Sequence, residues 1–199
     1  MIPLAAIVLA AGQSARMGGP NKLLQHINGV PILQYALQTI AELDLAQTIV
    51  VTGRDAEAVS AIAERYGASC VHNADAAGGM GGSISSGARA VCCSVDGVFV
   101  HLGDVPFVSV ATWRALAAAL RDDAARAHDV FVPVRNGQRG HPVLFRSSVL
   151  AALQNLHGDA GARAVVGAHA CQEVAVGDGM ILRDIDTPDD LRSASAGIY

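Results

Sequence analysis

The side chains able to do chemistry fall into five short stretches set between apolar runs. The first is Leu9-Ala-Ala-Gly12-Gln-Ser-Ala-Arg16-Met-Gly18-Gly19-Pro-Asn-Lys22-Leu-Leu24. Glycine after an apolar run lets backbone N–H groups approach a phosphate closely, which makes Leu9, Ala10, Ala11 and Gly12 candidate backbone contacts. Arg16 and Lys22 add two cations suited to a polyphosphate. The spacing is not a Walker A loop, because Lys22 is neither preceded by Gly nor followed by Ser or Thr, and no G-x-G-x-x-G can be drawn. The second stretch, Gly103-Asp104-Val105-Pro106, follows Val98 to Leu102 directly. A carboxylate at the end of a central strand can hold a divalent ion against bound phosphates, although Asp also serves ordinary turns there.

The third stretch is Arg183-Asp184-Ile185-Asp186-Thr187-Pro188-Asp189-Asp190. On a strand, Asp184 and Asp186 would share one side, and Asp186, at the exit, is the better second metal ligand. Asp189 and Asp190 read as first-turn acids complementing a helix dipole. In the fourth, Gly78-Gly79-Met80-Gly81-Gly82-Ser83, free N–H groups opening a helix could meet a ribose, base edge or phosphate. Gly79, Gly81 and Ser83 are the candidates, and the alternative is a simple N-cap by Ser83. The fifth is Arg139-Gly140-His141-Pro142, in which a lone His is more often structural than catalytic.

The elements that must position these residues follow from periodicity. Strands are expected at Leu4–Leu9, Gln47–Thr52, Ala68–Val71 and Gly97–Leu102. Further strands are expected at Val130–Val134 and Pro142–Phe145, with two short ones near Val174 and Ile181. Helical patterns cover Pro31–Leu43, Asp55–Tyr66, Ser83–Val91, Ser109–Arg121, Ser147–Leu156, Gly161–Ala168 and Pro188–Ser193. Alternation of the two types, without a linker or repeat, predicts one α/β domain over residues 1–199 with a three-layer α/β/α plan. Ligands of such sheets bind at the carboxyl ends of the strands, where the informative stretches lie.

Composition excludes several classes. The net charge of −4 and 4% aromatic content argue against a nucleic-acid surface. Cys70, Cys92, Cys93 and Cys171 form no C-x-x-C pair, and reduced thiols in a cytoplasmic protein are expected. The apolar run Ile2–Ala11 lacks the basic flank of a secretory signal and is too short for a membrane span; a buried first strand fits it.

Taken in order, the Leu9–Leu24 loop, Gly103-Asp-Val-Pro106, Gly140-His-Pro-Val143, Gly158-Asp-Ala-Gly-Ala-Arg163 and Asp184-Ile-Asp-Thr-Pro188 resemble the motifs of the nucleotidyltransferases that finish the molybdenum cofactor. These belong to a wider group acting on sugar and alditol phosphates. Ala-Ala-Gly at Ala10–Gly12 resembles the cytidylyltransferase branch, where the guanylyltransferase branch tends to Ala-Gly-Gly. Two departures stand out: Gln25-His26 replaces the usual Pro, and Gly78–Gly82 is unusually rich in Gly.

The resemblance implies a Rossmann-like nucleotidyltransferase fold with a mostly parallel sheet. It implies CMP transfer from CTP to the terminal phosphate of a molybdopterin-type acceptor, with release of pyrophosphate and a molybdoenzyme as a potential recipient of the product. Lys22, Arg16 and Asp104 would be catalytic, Asp104 and Asp186 would hold Mg²⁺ (Mn²⁺ suits oxygen-rich sites too), and Arg139 and His141 would face the acceptor. A transferase of the same fold using another base or acceptor, or a non-catalytic cofactor carrier, are the alternatives.

Overall fold

The first strand, β1 (Leu4–Ala10), has no polar side chain, and all seven of its residues are buried. Side chains of a strand alternate between faces, so both faces of the sheet must be covered. Leu4, Ala6, Val8 and Ala10 indeed pack into one core, and Ala5, Ile7 and Leu9 into another on the opposite side. The structure is a computed structural model that describes residues 2–12, 21–92 and 94–197.

A short antiparallel pair follows, β2 (His26–Ile27) and β3 (Val30–Pro31). Then come α1 (Ile32–Ala41), β4 (Gln47–Thr52), α2 (Ala56–Glu64), β5 (Ser69–His72), α3 (Met80–Arg89), β6 (Gly97–Leu102) and α4 (Val110–Asp122). The chain continues as β7 (Val130–Arg135), β8 (Gln138–Arg139), β9 (Val143–Arg146), α5 (Leu150–Gln154), α6 (Arg163–Ala168), β10 (Cys171–Ala175) and α7 (Pro188–Ser195).

The main sheet runs β10-β7-β9-β6-β1-β4-β5, with β8 paired to β7. β1 is parallel to β4 and β6, β4 to β5, and β7 to β10. β9 alone in the path lies antiparallel to both its neighbours. The carboxyl ends of β1, β4, β6 and β7 therefore share one edge. Helices α1, α2 and α4 cover one face through residues such as Leu33, Leu37, Val59, Trp113 and Leu116. On the other face, Ile84 of α3, Leu153 of α5 and Val165 of α6 close the second core. The expected three-layer, Rossmann-like plan with a mostly parallel sheet is the observed one.

Local chemistry explains the boundaries. In α1, Ile32, Leu33, Ala36, Leu37 and Ile40 are buried at helical spacing, and α4 starts where Ser109 Oγ accepts from Thr112 N. The hairpin from β7 to β8 turns on Asn136 and Gly137, both at positive φ (51° and 76°), as a two-residue turn matched to strand twist requires.

Three expectations are corrected. Ile181 belongs to a 3-10 turn over Gly179–Leu182, not a strand, because the Asp178 side chain caps the turn by accepting from Met180 N. Asp184 and Asp186 lie in an extended segment outside any ladder; Ile185 between them is fully buried, and its N–H donates to Asp104 O at 2.8 Å. Helix α3 begins at Met80, three residues before the expected start, so Ser83 is not its cap. No helix among the described residues is long and apolar enough to cross a membrane.

Candidate active site

The ends of β1 and β6 are tied together, with Gly103 N donating to Leu9 O at 3.0 Å. Beyond Gly103 the chain turns, Val105 N donating to Leu102 O at 3.1 Å. The ring of His101 secures the turn from below: its Nε2–H donates to Val105 O at 3.0 Å. Asp104 is thereby presented at the carboxyl edge of the sheet.

Lys22 lies in a 3-10 turn over Lys22–Leu24. Asn21 caps that turn, its Oδ1 accepting from Leu23 N at 3.1 Å while its amide reaches Arg54 O at 3.4 Å. Only 9% of Lys22 is exposed, and its ammonium forms ion pairs with both Asp104 Oδ2 and Asp186 Oδ1. Burial disfavours the ammonium, but Asp104 and then Asp186 outweigh it and hold the Lys22 pKa above its ordinary value. Lys22 is a fixed cation between two carboxylates.

Asp186 is held by the start of α7. Asp190 Oδ2 accepts from Asp186 N at 3.1 Å, from Thr187 N at 2.8 Å and from the Thr187 hydroxyl at 2.7 Å. Asp190 N donates in return to Thr187 Oγ1 at 3.2 Å, which completes a capping box. Asp190 is thus a cap that fixes Asp186 and not simply a dipole-complementing acid. The Thr187–Asp190 spacing carried that signal. Nearby, burial pushes the Asp184 carboxyl up, and the charges of Asp186 and Asp104 add to the shift.

Asp104 and Asp186 offer hard oxygen donors around one point. Among the described residues no three His, Cys, Asp or Glu side chains group to hold a metal. Two carboxylates fit an ion that keeps water and substrate phosphates in its shell, as Mg²⁺ does.

The remaining candidates are distributed unevenly. Leu9, Ala10 and Ala11 are buried at the end of β1, and a Cβ on Gly12 would meet nothing within 4 Å. Arg16 lies outside the described residues. Gly79 and Gly81 have a packing reason. A Cβ on Gly79 would strike Gly158, and one on Gly81 would come within 2.7 Å of His157 O. Gly79 also sits at φ 110°, a conformation other residues rarely adopt. Ser83 is buried and accepts from Asn73 Nδ2 at 3.0 Å.

Arg139 and His141, expected together, face different surroundings. Arg139 is exposed on β8 and pairs with Glu173 at 2.8 Å. His141 packs against His101, ring centroids 6.4 Å apart, and its backbone N donates to Ile181 O at 2.9 Å. Burial lowers the His141 pKa, and Asp104 opposes the shift. His101 was missed as a site-building residue. Its signal was a polar side chain inside the apolar run Val98–Leu102, directly before Gly103-Asp104.

A cation bracketed by two carboxylates, beside the loop that ends the first strand, is an arrangement suited to phosphate chemistry. The sequence profile of the MobA-like NTP transferase domain matches residues 6–174. The chain belongs to that family of nucleotidyltransferases.

Relatives of this MobA-like chain include the molybdenum cofactor cytidylyltransferase of Escherichia coli, 30% identical, with 98% of this chain and 96% of that protein covered. The purine catabolism protein PucB of Bacillus subtilis is 32% identical, over 94% of this chain and 93% of that protein. With the bifunctional GlmU protein of Dinoroseobacter shibae the likeness is 38% over 119 residues, 58% of this chain and 26% of that protein. The chain therefore matches about a quarter of the length of that relative. Among solved structures, Rv0371c of Mycobacterium tuberculosis in complex with manganese superimposes with a TM-score of 0.80 at 30% identity, covering 98% of each chain.

Proposed function

We propose that this chain transfers CMP from CTP to the terminal phosphate of a molybdopterin-type acceptor in the cytoplasm, releasing pyrophosphate. The observation that carries the proposal is the meeting of Lys22, Asp104 and Asp186 at the carboxyl edge of the sheet. The likeness to the Escherichia coli cytidylyltransferase over nearly the full chain and Ala-Ala-Gly at Ala10–Gly12 support the choice of base and acceptor.

A phosphate monoester has a second pKa of about 6, so near neutral pH it is already a dianionic nucleophile and needs no general base. Its oxygen attacks the α-phosphorus of CTP and the bond to the pyrophosphate oxygen breaks. The obstacle is the approach of one anion to another, followed by departure of a third. Lys22, held as a cation at every physiological pH, offsets that charge from a fixed position, and Arg16 is assigned the same role on the loop. Backbone groups from Leu9 to Gly12 border the triphosphate. Asp104 and Asp186 would hold the divalent ion, Mg²⁺ or Mn²⁺, which would supply positive charge to offset that of the phosphates. The manganese complex of Rv0371c supports the use of a divalent ion.

The test is pyrophosphate release with a molybdopterin-type acceptor and Mg²⁺, comparing CTP, GTP, ATP and UTP. Release with CTP alone is expected. Release with GTP alone would keep the chemistry and overturn the reading of Ala11, while silence with all four would favour a carrier or a different acceptor.

A further inference from the structure

Three arginines line one groove at the β7–β8 hairpin that the nucleotide does not require. Arg135 and Arg139 flank the hairpin turn between β7 and β8. Arg183 follows the 3-10 turn Gly179–Leu182. Together with Asn136, Gln138, Gly179 and Leu182 they line one open groove of about 530 Å³. No carboxylate is among these lining residues. The chain holds 14 Lys and Arg against 18 Asp and Glu, so three arginines lining one groove are a local concentration of cations, one of them, Arg139, paired with Glu173.

The groove is built by close packing. The Arg135 guanidinium lies against Gly179, where a Cβ would displace the end of that flexible side chain. A Cβ on Gly140 would strike Ile181 O, and His141 N donates to that same oxygen. The hairpin and the 179–186 segment are thus joined backbone to backbone. That segment runs on to Asp104, through Ile185 N, and to Asp186. Arg183 stands three residues before Asp186, so their Cα atoms lie at most about 11 Å apart. One strap carries both the arginine groove and a carboxylate of the reaction site.

We infer that the Arg135–Arg139–Arg183 groove binds a second anionic group of the acceptor, at the far end of the molecule from the phosphate that reacts. The inference rests on the nucleotidyltransferase reading and narrows it: the acceptor carries two separate anionic groups, spaced by about the length of the 183–186 strap. Arg139 is steadied by Glu173, and forked guanidinium donors suit a tetrahedral or planar oxyanion. A sugar phosphate whose reacting phosphate is its one anionic group would leave the groove unfilled.

The test uses the full chain labelled with ¹⁵N at arginine Nε, with signals assigned by R135Q and R183Q. Inorganic phosphate is titrated with and without the non-cleavable α,β-methylene analogue of CTP. Hexane-1,6-diyl bisphosphate is then titrated in the presence of the analogue. The Arg135 and Arg183 signals are expected to shift saturably with phosphate. The bisphosphate is expected to bind at least about tenfold more tightly than phosphate, a gain lost in the R135Q/R183Q double variant. Both side chains are exposed, so the double variant should melt like the parent. Unmoved Arg135 and Arg183 signals, equal affinities for the two probes, or a gain retained in the double variant would overturn the inference. Failure of the CTP analogue to bind would instead sink the nucleotidyltransferase reading, and the phosphate titration alone still decides whether the groove takes anions.

Discussion

In the proposed reaction Lys22 is the residue on which the chemistry turns, because its ammonium pairs with the two carboxylates of Asp104 and Asp186. Replacing it by Ala leaves Asp104 and Asp186 facing each other without the cation, and replacing Asp104 by Asn removes one of the two carboxylates proposed to hold the divalent ion. Losing one positioned charge of this kind typically costs on the order of 10²–10³ in rate, so Lys22→Ala and Asp104→Asn should each lose that much kcat. Folding is expected to survive in both, since the side chains of Asp104 and Asp186 keep 19% and 27% of their surface in solvent and remain partly hydrated. Steady-state kinetics with circular dichroism checks this; wild-type turnover in either folded variant would remove the residue from its role. The residue types were readable in the chain: a Lys in a glycine-rich loop, an Asp after an apolar strand, an Asp before Thr-Pro. Their meeting was not, because Lys22 lies 82 residues from Asp104 and 164 from Asp186, beyond the reach of any local pattern.

Among the elements, α3 begins three residues before the expected start, and its glycines have a packing role beside the expected ligand contact. Four glycines in Gly78–Gly82 look like a flexible, ligand-facing loop. In the fold Gly81 and Gly82 are in the first turn of the helix, and Gly79 and Gly81 lie under the His157–Gly158 backbone. Gly79→Ala combines an unfavourable positive φ with a backbone clash, and should cost roughly 1–3 kcal/mol. Denaturant unfolding of this variant beside Gly12→Ala, where a Cβ meets open space, separates packing from ligand contact. A loss of stability at Gly12 as large as that at Gly79 would contradict the packing account. Elsewhere the local signals and the fold agree. The strand Gly97–Leu102 has its expected limits, because its apolar run is bounded by Asp96 and by the Gly103-Asp104 turn. Ile181 departed from its expected strand because one capping side chain, Asp178, outweighed a weak apolar pattern.

For the molecule as a whole, two cores on either side of one sheet make the interior almost entirely apolar, with His101 an exception. Burial, then the neighbouring His141, push its pKa down to about 3, against a weaker pull from the Val105 carbonyl. In the unfolded chain a His titrates near 6.5. Below that pH the unfolded state takes up a proton that the folded state refuses, so stability falls as pH drops from about 6.5 toward 3, by up to roughly 1.4 kcal/mol per unit. His141 is shifted in the same direction and adds to the slope. Thermal unfolding between pH 7 and 4.5 should show a shallower acid loss in His101→Gln than in the parent chain; parallel slopes would mean that His101 does not resist protonation.

The sequence by itself determined the class of fold, the order of strands and helices, and the kinds of group at the carboxyl edge. Those depend on periodicity and turn chemistry within a few residues. Only the tertiary structure decided that β9 enters the sheet antiparallel between β6 and β7, that Gly79 and Gly81 serve packing, and that His101 braces the Asp104 turn. It alone decided that one ammonium joins carboxylates from two distant segments and that three arginines share a groove. Each of these depends on which strands become neighbours, and that is settled by burying both faces of β1 at once, a condition that no single stretch of the chain contains.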